Sequence, residues 1–288
     1  TVSNVAPVLG SVAATTINEN GTTTLTGTIT DPGTLDTFTL DVNWDDSASP
    51  TNVEQVTYAA GTTSFTLTHQ YLDDNTNTIG VTLTDDDTGA ATADTTVVVN
   101  NVAPTIDLSA SPLTHNESGT ASYTLTLGAI TDPGADTVTQ IIIFWGDNTS
   151  TTYTMLGDKT HIYDDNADQA SSISVTLLDE DGFHAGAGTH ALVVNNVAPT
   201  ATLLTGGAVS EGSTGVVVAA GQSDPSNTDT TAGFTYDYDF NNNSTIETGL
   251  GEISNTTYIS ATVPGQFLTD DPSKTVRVVI RDKDGGET

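Results

Sequence analysis

Three copies of the tetrapeptide Asn-Val-Ala-Pro divide the chain at nearly equal intervals, and this repetition restricts the possible fold more than any other feature of the sequence. The copies start at Asn4, Asn101 and Asn196. An internal repeat of this length indicates one folding unit that is used several times. We therefore predict three domains, at residues 1–100, 101–195 and 196–288.

Each copy is followed by the same short motifs in the same order. The series is a Glu in a polar turn, an Asp-Pro step, an aromatic residue followed by acids, a His-x-Tyr pair followed by acids, and a strand that runs into an acidic turn. The members are Glu19, Asp31-Pro32, Trp44-Asp45-Asp46, His69/Tyr71/Asp73/Asp74 and Asp85-Asp86-Asp87 in the first repeat; Glu117, Asp132-Pro133, Trp145-Gly146-Asp147, His161/Tyr163/Asp164/Asp165 and Asp179-Glu180-Asp181 in the second; and Glu211, Asp224-Pro225, Tyr238-Asp239 and Asp282-Lys283-Asp284 in the third.

Between these motifs, strand-forming residues alternate with polar residues at a period of two, and Gly, Pro, Asn and Asp separate the runs. The strands predicted in the first repeat are Thr22–Thr30, Thr37–Trp44, Ser64–Tyr71, Thr78–Thr84 and Ala91–Val99. About seven short strands in roughly 100 residues, with a Trp on the third, are typical of an immunoglobulin-like sandwich. We predict an all-β protein made of three tandem antiparallel β-sandwiches in a linear array.

The balance of charges limits the partners that the chain can bind. Five Lys and Arg residues stand against 37 Asp and Glu, which gives a net charge of -32. Nucleic acids and anionic membranes are recognised by clustered Lys and Arg, so both are excluded as partners. Cysteine is absent, which excludes disulfides and thiolate metal sites. No apolar run approaches the length of a membrane span, so we expect no insertion into a membrane.

The Trp-x-Asp, His-x-Tyr-x-Asp and Val-x-Leu-x-Asp-x-Asp-Gly series resembles polycystic-kidney-disease (PKD) domains over nearly the whole chain. The resemblance implies an immunoglobulin-like fold and a place in prokaryotic surface-layer proteins or adhesins, or as a spacer in secreted hydrolases. It therefore implies an extracellular or cell-surface location. The third repeat departs from the pattern, because it has Gly265-Gln266-Phe267 where the His-x-Tyr pair is expected and inserts Asn241-Asn242-Asn243 after Asp239.

Acidic residues recur in loops that immunoglobulin strand order brings to the ends of neighbouring sandwiches. Calcium takes about six to eight oxygen ligands and tolerates irregular geometry, which suits such loops. The ions could lie between repeats or within each repeat; alternatively, the acids are solvated turns that keep the surface soluble. The candidate ligands are Glu19, Asp73, Asp74, Asn100, Asn101, Asp132, Asp179 and Asp181 at the first junction; Glu117, Asp164, Asp165, Asn195, Asp224, Asp282 and Asp284 at the second; and Asp31, Asp85 and Asp87 within the first repeat.

A further candidate loop begins at Asp239 and continues through Asn241, Asn243, Thr245 and Glu247. Oxygen-bearing residues at alternating positions resemble the start of an EF-hand calcium loop. The glycine at the sixth position and the glutamate at the twelfth are missing, although Glu247 could substitute. The alternative interpretation is a polar hairpin turn.

The aromatic residues and histidines of the motifs are expected to have structural roles. Trp44, Trp145, Tyr71 and Tyr163 are predicted to lie in the core. A single His in a repeat makes a poor transition-metal site, so we expect His69 and His161 to tie a strand to a loop by a hydrogen bond. No Gly-x-Ser-x-Gly, His-Glu-x-x-His or phosphate-binding glycine motif occurs, and we predict that the protein is not an enzyme.

These features predict a mechanical function, in which calcium stiffens a stalk, fibre or surface-layer segment. The expected partners are neighbouring repeats or subunits of the same protein. Strand addition is one mode, because the third repeat stops where its final strand should begin. The alternatives are a glycan- or protein-binding module and a spacer of a secreted hydrolase. The binding module would use the alternating aromatic residues Phe234, Tyr236, Tyr238 and Phe240, which are more easily explained as core.

Overall fold

The computed structural model of the protein describes residues 2–168, 172–270 and 273–288, and β-strands make up most of its regular structure. The first hundred residues contain β1 (Val8–Ala14), β2 (Ile17–Asn18), β3 (Thr22–Thr30), β4 (Phe38–Asn43), β5 (Val53–Tyr58), β6 (Ser64–Gln70), β7 (Asn75–Asp85) and β8 (Ala90–Asn100). The next strands are β9 (Thr105–Ile106), β10 (Thr114–Asn116), β11 (Tyr123–Leu127), β12 (Ile130–Thr131), β13 (Gln140–Phe144), β14 (Ser150–Tyr153), β15 (Gly157–His161), β16 (Ile173–Leu178), β17 (Phe183–His190) and β18 (Val193–Asn195).

The remainder of the chain contains β19 (Thr200–Thr205), β20 (Gly215–Ser223), β21 (Thr235–Asp239), β22 (Ile253–Thr256), β23 (Ser260–Val263) and β24 (Arg277–Arg281). Its helical segments are one short α-helix, α1 (Asn227–Ala232), and the 3-10 turns Thr248–Leu250 and Gly265–Phe267; a further 3-10 turn covers Asn166–Asp168. Helix α1 was not predicted, because six residues are too few to display an apolar stripe. It begins where the Ser226 hydroxyl accepts a hydrogen bond from the backbone N–H of Asp229.

Backbone contacts divide the chain into two compact units. The first unit comprises Thr1–Ile106, Ile130–Ile141 and Thr176–Ala187, and the second comprises Asp107–Ala129, Ile142–Val175 and Gly188–Thr288. These limits do not follow the repeat boundaries, so the division into three domains stays a prediction.

In the first unit, two sheets share one hydrophobic core. Their strand orders are β1-β3-β6 and β2-β8-β7-β4-β5, and all pairs are antiparallel except β2 with β8. The alternation predicted from the sequence places one side chain in two inside the core, for example Leu25 on β3, Leu40 on β4 and Ile79 on β7. The predicted strand Thr22–Thr30 is confirmed as β3, and the other four predictions coincide with β4, β6, β7 and β8 to within a few residues.

In the second unit, the sheets β19-β20-β23 and β22-β21-β24 share another core. Tyr236, Tyr238 and Phe240 are buried in it, so these aromatic side chains pack inward as expected. The same unit contains the parallel pair β10–β18 and the antiparallel pair β11–β15. The remaining sheets are β12-β9 and β14-β13-β16-β17. The prediction of an all-β, antiparallel, immunoglobulin-like fold is confirmed.

The predicted aromatic core is confirmed in each unit. Trp44 and Trp145 are 0% exposed, and their backbone carbonyls accept hydrogen bonds from the hydroxyls of Tyr71 (2.7 Å) and Tyr163 (2.6 Å). These bonds remove the cost of burying a tyrosine hydroxyl. They also attach the segment that follows β6 or β15 to the segment that follows β4 or β13.

The two histidines of the His-x-Tyr pairs tie a strand to a loop, as predicted. The His69 ring stacks on Trp44 at 4.9 Å and shares a hydrogen bond of 3.0 Å with Asp46. His161 stacks on Trp145 at 4.6 Å, and its Nε2 lies 2.6 Å from Asp147. The acid of the Trp-x-Asp motif is therefore the partner of the histidine.

Candidate metal centre

The Asp-Pro loop presents a carboxylate oxygen in the same way in every repeat. The aspartate Oδ1 accepts a hydrogen bond from the backbone N–H two residues later, an Asx turn that the following proline favours. The N···O distances are 2.6 Å for Asp31, 3.4 Å for Asp132 and 2.8 Å for Asp224. The second oxygen, Oδ2, of all three aspartates is buried without a hydrogen-bond partner among the described residues. An oxygen left in this condition costs about 1–3 kcal/mol unless a cation or water satisfies it.

A second aspartate of the same loop completes an acidic group, and the sequence analysis missed it. Asp36, Asp136 and Asp229 follow the Asp-Pro step by four or five residues. Asp36 lies with Asp31 and Asp85, and Asp136 lies with Asp132 and Asp179, each trio having ligand oxygens within 4.8 Å of one another. The signal that could have identified them is the recurrence of Asp at nearly constant spacing after each Asp-Pro.

In the first unit, Glu19 of the β2–β3 turn reaches the Asp-Pro loop that follows the next Asn-Val-Ala-Pro. Its backbone N–H donates to the Asn100 carbonyl at 3.0 Å, and its Oε1 accepts from the Val102 N–H at 2.6 Å. Glu19 is 3% exposed, and its Oε2 has no hydrogen-bond partner within the described part of the chain. Oxygens of Glu19, Asp73 and Asp136 lie within 4.8 Å of one another.

We call this group the first acidic cluster. Its members are Glu19, Asp73, Asp132, Asp136 and Asp179, all in the first unit. Burial, followed by the charges of Glu19 and Asp132, raises the pKa of Asp136 to about 7. Burial also raises the pKa of Glu19 above its usual range, although the hydrogen bond from Val102 opposes the change. These carboxyls therefore repel one another in the absence of a cation.

Gly134 is the point at which the Asp-Pro loop touches Glu19. A Cβ at this position would overlap Oε2 of Glu19. Because Glu19 is buried and attached to Val102, we expect Gly134→Ala to displace the loop and to lower the free energy of unfolding by about 1–3 kcal/mol. Thermal unfolding measures the effect, with Gly80→Ala as the control, since a Cβ there meets Asp94 only at an ordinary 3.6 Å. Equal stability of the two variants would contradict this packing.

In the second unit, Glu117 occupies the place that Glu19 has in the first. It is 1% exposed, its Oε1 accepts from the Val197 N–H at 2.8 Å, and its Oε2 accepts from the Asn166 N–H at 2.7 Å. Burial raises the pKa of Glu117 to about 7 against these two hydrogen bonds. We call the group around it the second acidic cluster, with members Glu117, Asp165, Asp224, Asp229 and Asp284.

Lys283 places its ammonium inside the second acidic cluster. The Nζ atom lies 2.6 Å from Asp165, 2.5 Å from Asp284 and 3.2 Å from Asp229. Burial opposes the charged form of the lysine, but the three carboxylates outweigh it and raise its pKa. Burial likewise raises the pKa of Asp165, yet Lys283 and the Ala167 N–H bring that pKa below its usual range.

The structure brings together most of the residues predicted at the junctions. Glu19, Asp73, Asp132 and Asp179 meet in the first acidic cluster, and Glu117, Asp165, Asp224 and Asp284 meet in the second. Asp74 lies beside Asp181, which accepts a hydrogen bond from the Asn101 amide. Asp282 accepts hydrogen bonds from Asp284, Gly286 and Asn196, and its Oδ2 is buried without a partner among the described residues. Asp31 and Asp85 lie together with Asp36, and Asp87 is exposed.

Three of the predicted residues have other contacts. The Asn100 amide donates to the Ile17 carbonyl at 3.1 Å, and the Asn195 amide donates to Asn116 Oδ1 at 3.2 Å. Asp164 accepts hydrogen bonds from the backbone of Asn227 (2.9 Å) and Thr228 (3.1 Å) at the start of α1. Their residue types fit a metal site, but Asn100 and Asn195 are the last residues of β8 and β18. The direction of the Asp164 side chain depends on loop torsions that spacing does not reveal.

The polar groups of the EF-hand-like loop form hydrogen bonds to one another within the loop. Asp239 accepts from the N–H groups of Asn243 (3.3 Å) and Ser244 (2.8 Å), and the amides of Asn241 and Asn243 donate to Glu247. Ser244, at the sixth position, has the positive φ of 69° that an EF-hand reserves for glycine. This arrangement has the local bonding of a polar turn.

A buried acid that the sequence analysis missed holds the EF-hand-like loop closed. Glu252 is 3% exposed, and its carboxylate accepts from the N–H groups of Phe240 and Glu247, both at 2.7 Å. Counted from Asp239, Glu252 lies beyond the twelfth position, where an EF-hand loop has its glutamate, so the motif did not identify it.

Comparisons with known proteins give matches to solved structures only. No family model matches the sequence, and no curated protein matches it. The PKD domain of an M14-like peptidase from a Thermoplasmatales archaeon is 18% identical, with 33% of this chain and 93% of that chain covered and a TM-score of 0.28. The titin domains z1z2 in complex with telethonin are 13% identical, covering 68% and 100% with a TM-score of 0.37.

A tandem repeat from the extending region of a large adhesion protein is 15% identical, covering 96% of this chain and 72% of that chain with a TM-score of 0.33. At these TM-scores the matches carry no argument about function. Among the described residues, no helix is long and apolar enough to cross a membrane.

Proposed function

We propose that the protein is a structural repeat array of a secreted or cell-surface protein, in which calcium neutralises the acidic clusters and holds the connected loops in place. The observation that carries this proposal is the buried Glu19 carboxylate, which has an oxygen within 4.8 Å of oxygens of Asp73 and Asp136 and whose Oε2 has no hydrogen-bond partner among the described residues. A carboxylate buried in this way among other carboxylates requires a cation or a proton.

The chemistry of the ligands favours calcium over other cations. The donors of the first acidic cluster are carboxylates, and hard oxygen donors suit calcium. The cluster also draws its members from separate loops, and calcium tolerates the irregular geometry that results. Transition metals favour imidazole or thiolate ligands; the sequence contains no cysteine, and the Nε2 of His184 beside the cluster is already bonded to Asp179 at 2.8 Å.

The first acidic cluster combines two alternatives that the sequence left open, calcium between repeats and calcium within one repeat. The Asp-Pro aspartate, the second aspartate of its loop and the acid of the last turn belong to one repeat, while Glu19 and Asp73 belong to the preceding repeat. An ion bound by both sets would join successive repeats and restrict the linker between them. A mechanical function follows from that restriction, with neighbouring repeats or subunits as partners.

Calcium is expected to raise the melting temperature of the chain, because it binds the folded clusters and not the unfolded chain. For a dissociation constant near 10⁻⁴ M, as in extracellular modules, about 10 mM calcium would add about 2.7 kcal/mol to the free energy of unfolding. Thermal unfolding in calcium and in EDTA measures the effect, and small-angle scattering reports any accompanying extension.

Glu19→Gln is expected to remove much of the calcium-dependent increase, because glutamine keeps the shape of the side chain and loses its charge. Asp94→Asn is the matched control, since Asp94 is exposed on β8 and makes the same change in net charge. An equal melting temperature of the wild-type protein in calcium and in EDTA would refute the calcium proposal and leave the acids as a solvated surface.

A further inference from the structure

The last acidic turns of the second and third repeats have the same construction, which makes residue 180 the counterpart of residue 283. In the first unit, Asp179 Oδ1 accepts from the N–H of Asp181 at 3.0 Å. In the second unit, Asp282 Oδ1 accepts from the N–H of Asp284 at 2.9 Å. The residue between the two acids is Glu180 in one turn and Lys283 in the other.

These two counterparts give the clusters opposite charges at one position. Glu180 is exposed, and its carboxylate accepts a hydrogen bond of 3.1 Å from the Thr137 N–H, so it adds a negative charge beside the first acidic cluster. Lys283 instead directs its ammonium at Asp165, Asp229 and Asp284. An ammonium has three N–H donors, which matches the three carboxylates that surround it.

The first unit contains no lysine or arginine that could replace Lys283, and the ring of His184, whose Nε2 lies 2.8 Å from Asp179, is charged only when it is protonated. The five basic residues of the chain, at 159, 274, 277, 281 and 283, all belong to the second unit. The buried carboxylates of the first acidic cluster therefore depend on a cation from solution or on protonation. Three members of the second acidic cluster, Asp165, Asp229 and Asp284, have a cation that the chain itself supplies.

We propose that Lys283 is the resident cation of the second acidic cluster, so that the first cluster is the tight calcium site and the second remains assembled when calcium is removed. This inference rests on the proposed function, because it gives the two acidic clusters different requirements for calcium. Loss of calcium would then loosen the loops of the first unit before those of the second.

Exchanging the two residues tests the inference. Glu180→Lys is expected to weaken the tight calcium site at least about tenfold, because its ammonium can reach the first acidic cluster; that factor corresponds to about 1.4 kcal/mol. Lys283→Glu is expected to create a second tight site, since it gives the second cluster the charge pattern of the first. Both are measured by calorimetric titration of the full chain with calcium chloride after treatment with EDTA.

Matched controls separate the position from the change in net charge. Asp94→Lys makes the same charge change as Glu180→Lys on an exposed strand, and Lys274→Glu makes the same change as Lys283→Glu on an exposed residue outside the cluster. Glu180→Lys is expected to fold as the wild-type protein does, because Glu180 is exposed and only one N–H donor loses its acceptor. If either exchange behaves as its control does, the assignment of Lys283 is wrong.

The failure of this inference is distinguishable from failure of the proposed function. A wild-type chain that binds no calcium in the titration refutes the proposed function. A wild-type chain that binds calcium with two sites of equal affinity, both unchanged by the exchanges, refutes only the role of Lys283. Lys283→Gln provides an independent readout without added metal, because it is expected to lower the melting temperature in EDTA by several degrees, whereas Lys274→Gln should leave it unchanged.

Discussion

Replacing Trp145 with alanine is expected to lower the free energy of unfolding of the second unit by about 3–5 kcal/mol. The side chain is 0% exposed, its ring stacks on His161, and its Nε1 donates to Thr151 at 3.0 Å. Truncation would leave a cavity and would remove the surface that orients His161 toward Asp147. A loss of this size is a large part of the stability of a typical domain, which is about 5–15 kcal/mol.

The two tryptophans allow the effect to be assigned to one unit. Trp44 belongs to the first unit and Trp145 to the second, so in the Trp145→Ala protein the tryptophan fluorescence reports only the first. We expect urea unfolding followed by circular dichroism to show a transition at lower urea that the fluorescence of Trp44 does not follow.

Phe144→Ala is the control, because Phe144 is the last residue of β13 and directly precedes Trp145 but is 44% exposed. Its effect should be within about 1 kcal/mol, since exposed side chains contribute little. A similarly small loss for Trp145→Ala would show that the tryptophan does not support the core in the way its burial indicates.

The metal-free protein is expected to become more stable as the pH falls from 8 to 5. Burial raises the pKa of Glu117 and of Asp136 to about 7, from ordinary values of 4.5 and 3.8. An acid whose pKa is higher in the folded state stabilises that state below the unfolded value, and this contribution disappears as the pH rises through the folded value. For these two groups the loss is therefore expected between about pH 4 and pH 8.

Other groups reverse the trend at lower pH. Burial raises the pKa of Asp165 and of Asp237, but the Lys283 and Arg281 cations, with backbone N–H donors, bring both below the usual range. Their stabilising contribution is present above the unfolded value and is lost as the pH falls through the folded value. The metal-free chain should accordingly be most stable near pH 5, as measured by thermal unfolding in EDTA.

Calcium is expected to flatten this pH dependence, because a bound cation stabilises the ionised carboxylates at pH 8. Glu117→Gln should remove part of the dependence in EDTA, whereas the exposed Asp94→Asn should leave it intact. Greater stability at pH 8 than at pH 5 without metal would contradict the mutual repulsion of the clustered acids. Each unit of pKa difference corresponds to about 1.4 kcal/mol in the free energy of unfolding. The melting temperature in EDTA is therefore expected to change by several degrees between pH 5 and pH 8.

Much of the fold could be predicted from local patterns. The alternation of apolar and polar residues identified β3 with its bounds, and the repeated aromatic residues identified Trp44 and Trp145 as core. Such predictions succeed because the direction of a strand side chain depends only on whether its position is odd or even. The histidines were likewise predictable, because one His in each of two repeats argued for a hydrogen bond rather than a metal.

The acidic clusters could be predicted only in part. Glu19 and Asp132 were identified because they recur in the repeats, but the second aspartate of each Asp-Pro loop, such as Asp136, was not. Asp164 was also predicted at a junction, and its carboxylate accepts a hydrogen bond from the start of α1, a contact that the spacing did not indicate. In loops, successive side chains have no fixed period, so proximity along the chain does not determine proximity in space.

The sequence by itself determined the all-β class, the order of the motifs and the large negative charge. It did so because strand periodicity and turn chemistry are local, and because charge is a property of composition. The tertiary structure decided which carboxylates meet, which oxygens are buried, and that Lys283 enters the second acidic cluster while Glu180 stays outside the first. Those outcomes depend on the torsions of loops that are far apart in the chain, and only the packed sandwiches bring them together.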